Sequence, residues 1–183
     1  MSALSARIVE EFCKLCDWSY QVWINHRELF DDNHRTPELL QSKGAHAFER
    51  LRKISHEYTI LQIAKLHDGA VVSGNITLGI DYIVKFGGWS PAISLELERL
   101  AGQLSSFSKQ LRAPRNQLLS HNDLAAILSG NPLGEFNPGE DIKYFEVLQN
   151  FVNIVHNEVM GTPFPFDDLA ENDAEILMAM INS

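Results

Sequence analysis

Twelve consecutive residues hold most of the groups that can do chemistry in this chain: Arg112-Ala-Pro-Arg115-Asn116-Gln-Leu-Leu-Ser-His121-Asn122-Asp123. Two arginines, two asparagines, one histidine and one aspartate share the stretch, and Leu118 and Leu119 give it an apolar side. An arginine is a permanent cation whose planar donor fork suits phosphate. A histidine takes and returns a proton near neutral pH. Arg115 and His121 together are therefore a minimal kit for breaking a phosphodiester without a metal. The bland reading is that both only bridge helix ends, with Asn122 and Asp123 as a cap.

The surrounding charge supports a small local site, not a broad one. The chain has 183 residues and a formal net charge of −9. That argues against nonspecific nucleic-acid binding, which needs a basic face. Yet Arg99, Lys109, Arg112 and Arg115 follow one another with no acid between Arg99 and Asp123. An RNA site would have to use this segment.

Other chemistry finds less support. Cys13 and Cys16 are spaced as Cys-x-x-Cys, but no second pair completes a zinc set and no βαβ pattern suggests a redox motif. They read as small apolar residues one helical turn apart. His26, His34, His46, His56, His67 and His156 lie singly, without HExxH or paired spacing, and read as structural or surface residues. No metal or cofactor is expected.

The elements that must carry the stretch are helical. Leu4, Ile8, Phe12, Leu15, Ser19, Val22, His26 and Leu29 recur at steps of three and four, which predicts a helix over 3–30. Thr36-Pro37-Glu38 is a cap, a first-turn proline and an acid, opening a second helix to about residue 68. Its stripe is Phe48, Leu51, Ile54, Tyr58, Leu61 and Ala64, and Gly44 marks a kink or the start of regular helix. Residues 69–90, broken by five glycines, hold a short helix near 78–86. Ser90-Pro91 opens a third long helix with Ile93, Leu97, Leu100, Leu104, Phe107 and Leu111 on one face. Pro114 either kinks it or starts a new one. A fourth long helix over 140–160 carries Ile142, Phe145, Leu148, Val152, Val155 and Val159, and a terminal helix over 168–182 turns Ile176, Leu177, Met180 and Ile181 inward. With no linker or repeat, the reading is one domain over 1–183, an all-α antiparallel four-helix bundle with extra short helices. No apolar run reaches the ~20 residues of a membrane span, and no signal layout is visible, so a cytoplasmic protein is expected.

Arg115-Asn116, four residues, then His121 resembles the Arg-x(4–6)-His motif of HEPN domains. The wording Arg-Asn…Ser-His-Asn-Asp, with the upstream Leu61-Gln-Ile-Ala-Lys-Leu-His-Asp68 and Asn75-Ile-Thr-Leu78, is similar to the abortive-infection AbiU2-type branch over residues 40–160. The resemblance implies a helical bundle and metal-independent cleavage of RNA, as in a toxin or phage-defence effector. Arg115, Asn116 and His121 would be catalytic, with Arg112, Asn122 and Asp123 binding or orienting. It also implies a homodimer with motif copies sharing a composite site, and an antitoxin or regulatory protein as partner. Where some HEPN toxins carry His-x-Tyr, Asp123 stands here, which puts control by tyrosine modification in doubt. A catalytically silent module binding RNA or protein, and a structural bundle, are the alternatives.

Overall fold

The structure, a computed structural model, describes residues 4–33, 36–39, 41, 44–114, 136–167, 173, 176–177 and 179–180. Helix α1 runs Ala6–His26 and widens into a π-helical turn, Arg27–Asp31. A single turn, α2, spans Thr36–Leu39, and α3 spans Ala45–Leu66. The expected second helix is thus two helices, with Gly44 as the N-cap of the long one. A hairpin follows, β1 Val71–Val72 against β2 Asn75–Ile76, in the register Val71↔Ile76. Ser73 and Gly74 both have positive φ, the geometry a two-residue hairpin turn demands. Then come α4 Ile80–Phe86, α5 Pro91–Pro114 and α6 Glu140–Met160.

Local chemistry sets the helix ends. The Ser5 hydroxyl accepts from Ile8 N, and the Ser90 hydroxyl, just before the first-turn Pro91, accepts from Ile93 N. Asn137 N and Nδ2 both donate to the Glu140 carboxylate at the start of α6, and Gly161 at φ 76 closes its end.

The four long helices make a bundle. α1 lies between α3 and α6, while α5 packs on α6 and, less extensively, on α3. Phe30 meets Phe48 while Trp18 meets Tyr58, and Phe12 meets Phe151 while Trp23 meets Phe145, so α1 runs antiparallel to both neighbours. Val9, Phe12, Ile63, Leu97, Leu104, Tyr144, Leu148 and Phe151 fill the centre. Cys13 and Cys16 are buried free thiols there, and burial pushes Cys13 up to about 12, as expected of inert packing residues. No described helix is long and apolar enough to cross a membrane.

Stripe assignments on four helices need correction: on α1 Leu15 is 43% exposed, and on α6 Ile142 is 38% exposed. On α3 the buried residues are Thr59, Ile60, Ile63, Ala64 and Leu66, whereas Leu51, Ile54 and Tyr58 are 59%, 61% and 40% exposed. The first half of α3 runs beyond the core, and its apolar stripe faces outward. At the C-terminus Ile176, Leu177 and Met180 are helical but exposed, not inward-facing; Ile181 lies outside the described residues.

Candidate active site

Arg112 lies in the last turn of α5, which the structure follows to Pro114. Arg115, Asn116, His121, Asn122 and Asp123 lie outside the described residues. The two flanks of that stretch open on one feature. Leu111, on α5, and Phe136, where the description resumes, both line a cleft of about 600 Å³.

The cleft wall comes mostly from α3. Glu49, Arg52, Lys53, His56, Ile60 and Ile63 recur at steps of three and four, which puts them on one helical face. Trp23 and His26 of α1, Asp31 of the π turn, and Asn137, Pro138 and Asp141 complete it. Apolar floor and charged rim are therefore continuous along one helix. Arg52 donates from Nε and Nη2 to Glu49, both at 3.1 Å. Trp23 Nε1 donates to Asp141 Oδ2 at 3.1 Å, and its ring stacks on Phe145. Arg27 lies over the Trp23 ring, 5.5 Å from its centroid.

His26 is the unusual member. It is 4% exposed, its ring lies 5.4 Å from that of His56, and Nδ1 has no hydrogen-bond partner among the described residues. Nε2 sits 3.6 Å from Asp31 Oδ2, a contact that alone favours the charged form. Burial outweighs it, with His56 and Arg52 adding repulsion, and His26 is held down to about 4. At neutral pH this imidazole is neutral, so it can hydrogen-bond but not act as a general acid. Burial also raises the Asp31 carboxyl above its usual range.

A pH dependence follows. The unfolded chain binds a proton at His26 below its ordinary 6.5, while the folded chain refuses it until about 4. Stability present above pH 6.5 is therefore lost as pH falls toward 4, by on the order of 1–3 kcal/mol for this group. Melting curves from pH 7 to 4.5 should show a steeper fall in wild type than in His26→Leu. Equal slopes would mean that His26 is not kept neutral by the fold.

Of the histidines expected to be structural or surface residues, His26 is buried and His56 lines the cleft wall. His26 and His56 meet on this cleft, though neither has a motif around it. The available signal was the polar run Glu49, Arg52, Lys53, His56 continuing into Ile60 and Ile63 on one face. The other described histidines stay structural or exposed. His67 Nε2 lies 2.9 Å from Tyr144 Oη, His156 Nδ1 lies 2.6 Å from Thr162 O, and His46 is on the surface. Among the described residues no group of three or more His, Cys, Asp or Glu is placed to hold a metal ion.

The HEPN_AbiU2 family model, described as AbiU2, matches residues 5–180. The chain belongs to the HEPN AbiU2 family. The match reaches well beyond residues 40–160, taking in α1 and the C-terminal residues. No curated protein and no solved structure matched the chain. Membership fits the all-α bundle and leaves the chemistry of this AbiU2 chain to its own residues.

Proposed function

We propose that this HEPN AbiU2 protein is a metal-independent endoribonuclease, acting in the cytoplasm as a toxin or phage-defence effector. The observation that carries the reading is the Arg115-x5-His121 pair in a chain matched by the family along nearly its whole length. His121 takes the proton of a ribose 2′-OH or delivers one to the leaving oxygen. The 2′ oxygen attacks phosphorus, the bond to the 5′ oxygen breaks, and that oxygen leaves protonated. The products are a 2′,3′-cyclic phosphate and a 5′-OH. Arg115 holds the scissile phosphate and offsets the charge that builds on it. Asn116 donates to a phosphate oxygen, Asp123 orients the imidazole, and Arg112 and Asn122 hold the strand.

Positions six apart on a straight helix differ by about 240° and about 9 Å. Arg115 and His121 of one copy would not converge on such a helix. A two-fold homodimer that pairs the motif of one copy with that of another solves the geometry. An antitoxin or regulatory protein would then act on the same face.

A second reading, a silent module that binds RNA or a protein, has one observation in its favour. The chain's net charge is −9, and the cleft sets Asp31, Glu49 and Asp141 beside Arg52 and Lys53. The test is a labelled single-stranded RNA incubated with the purified protein in EDTA, with analysis of fragment ends. Cyclic-phosphate and 5′-OH ends are expected at an undiminished rate. Binding without cleavage of any RNA would favour the silent module.

A further inference from the structure

The cleft has the dimensions of a small-molecule site. Its volume of about 600 Å³ falls within the roughly 300–1,000 Å³ of ligand pockets, whose usual lining is an apolar floor with a few convergent polar groups. Ile60, Ile63, Leu111 and Phe136 make such a floor here. Aliphatic and aromatic side chains together suit the face of a flat ring.

The polar groups still unspent in the wall narrow the ligand further. Asp141 accepts from Trp23 Nε1 on Oδ2, and its Oδ1 has no hydrogen bond among the described residues. The indole thus fixes the direction of the carboxylate and leaves lone pairs open. Asp31 Oδ2 lies 3.6 Å from His26 Nε2, beyond hydrogen-bond reach. His26 is 4% exposed, and its Nδ1 has no partner. With the imidazole proton on the Nε2 that faces Asp31, Nδ1 is an acceptor. Every one of these open positions is an acceptor, and a buried one without a partner calls for a donor. A ligand that completes the wall must therefore bring N–H or O–H groups.

Among the flat nucleobases, guanine brings the most donors on one edge. Its N1–H and N2–H2 lie side by side and match the two oxygens of one carboxylate. Adenine and cytosine offer an amino group alone, and uracil a single N–H. The rim adds a cation: the Lys53 side chain is 71% exposed and lies 3.8 Å from Glu57, a loose pair that leaves its charge available to a phosphate. We infer that the cleft binds a guanine nucleotide, with the N1–H and N2–H2 edge on Asp141, the ring over the apolar floor and the phosphate at Lys53. The nucleotide comes from an RNA strand or free from solution, and the recognition is the same. A strand would place the base beside the proposed catalytic stretch, because Leu111 lines the cleft one residue before Arg112. Only that source rests on the nuclease reading.

The experiment is calorimetric titration of the full-length protein with the 5′-monophosphates of guanosine, adenosine, cytidine, uridine and inosine. Inosine is guanosine without the 2-amino group. The guanosine monophosphate should bind on the order of 10-fold tighter than each of the others, the usual effect of leaving a buried hydrogen-bonding group unmatched. Asp141→Asn should erase the difference between the guanosine and inosine monophosphates. Loss of the Trp23 contact alone would weaken both and keep their ratio. Lys53→Ala should weaken guanosine monophosphate on the order of 3-fold and leave guanosine itself unchanged. A 2′-O-methyl oligouridine carrying one guanine, which has no 2′-OH to attack, separates the sources. Tighter binding than the monophosphate assigns the strand, and equal or weaker binding assigns the free nucleotide. Equal affinity for all five monophosphates, no saturable binding of any, or a guanosine-to-inosine ratio that survives in Asp141→Asn would overturn the inference. Monophosphates hold no phosphodiester, so a protein that binds them selectively and cleaves no RNA would sink the nuclease reading and leave this one standing.

Discussion

His121→Ala is expected to lower RNA cleavage by about 10²–10⁴-fold, the usual effect of removing a proton-transfer group. Arg115→Ala should fall comparably, because the guanidinium that holds the scissile phosphate and offsets its growing charge is lost. Arg115→Lys should recover only part of the rate. A lysine keeps the charge but presents a point, where the guanidinium presents two parallel donors. His46→Ala is the control: His46 is exposed near the start of α3 and does not line the cleft. Asp123→Asn separates a role in orienting His121 from a role in caps. If Asp123 orients the imidazole, the pH–rate profile shifts; if it caps, only the melting temperature moves. Wild-type cleavage persisting in His121→Ala would place the activity elsewhere. The motif would then be no more than a well-spaced pair of polar residues.

This prediction stands on residues that were legible in the sequence as a motif, together with a family match, and not on their placement. The fold was legible for a different reason. Periodicity and caps carry helices, and Ser90-Pro91, Gly161 and the Leu97–Leu100–Leu104–Leu111 face all sit where spacing put them. Periodicity fails where a helix has two apolar stripes. In α3, Leu51–Ile54–Tyr58 and Ile60–Ile63 are equally good by spacing. Only the packing of the bundle decides it: Ile60 and Ile63 are buried, while Leu51, Ile54 and Tyr58 are exposed. The cleft was illegible because it is assembled from α1, the π turn, α3, α5 and the start of α6, none of which marks it alone. A charged rim on α3 looks like any solvated face until His26 and Trp23 are set against it.

The same ambiguity can be measured on α6. By spacing, Ile142, Phe145, Leu148, Val152, Val155 and Val159 form its inward face. In the fold, Phe151 and Tyr144 are fully buried and Ile142 is 38% exposed. Phe151 packs edge-on against Phe12, ring centroids 5.9 Å apart, and joins α6 to α1 at the middle of the bundle. Phe151→Ala should therefore cost about 3–5 kcal/mol, the lost transfer of the ring plus the cavity left behind. For a chain of this length that is a fall in melting temperature on the order of 6–20 °C. Ile142→Ala should cost less, about 1 kcal/mol, since more than a third of the residue is already in water. Thermal unfolding of the two variants beside wild type decides between the stripe and the fold. A larger loss at Ile142 than at Phe151 would mean that α6 is rotated about its axis from the position described. With it would move the Trp23–Asp141 contact and the wall that Asp141 gives the cleft.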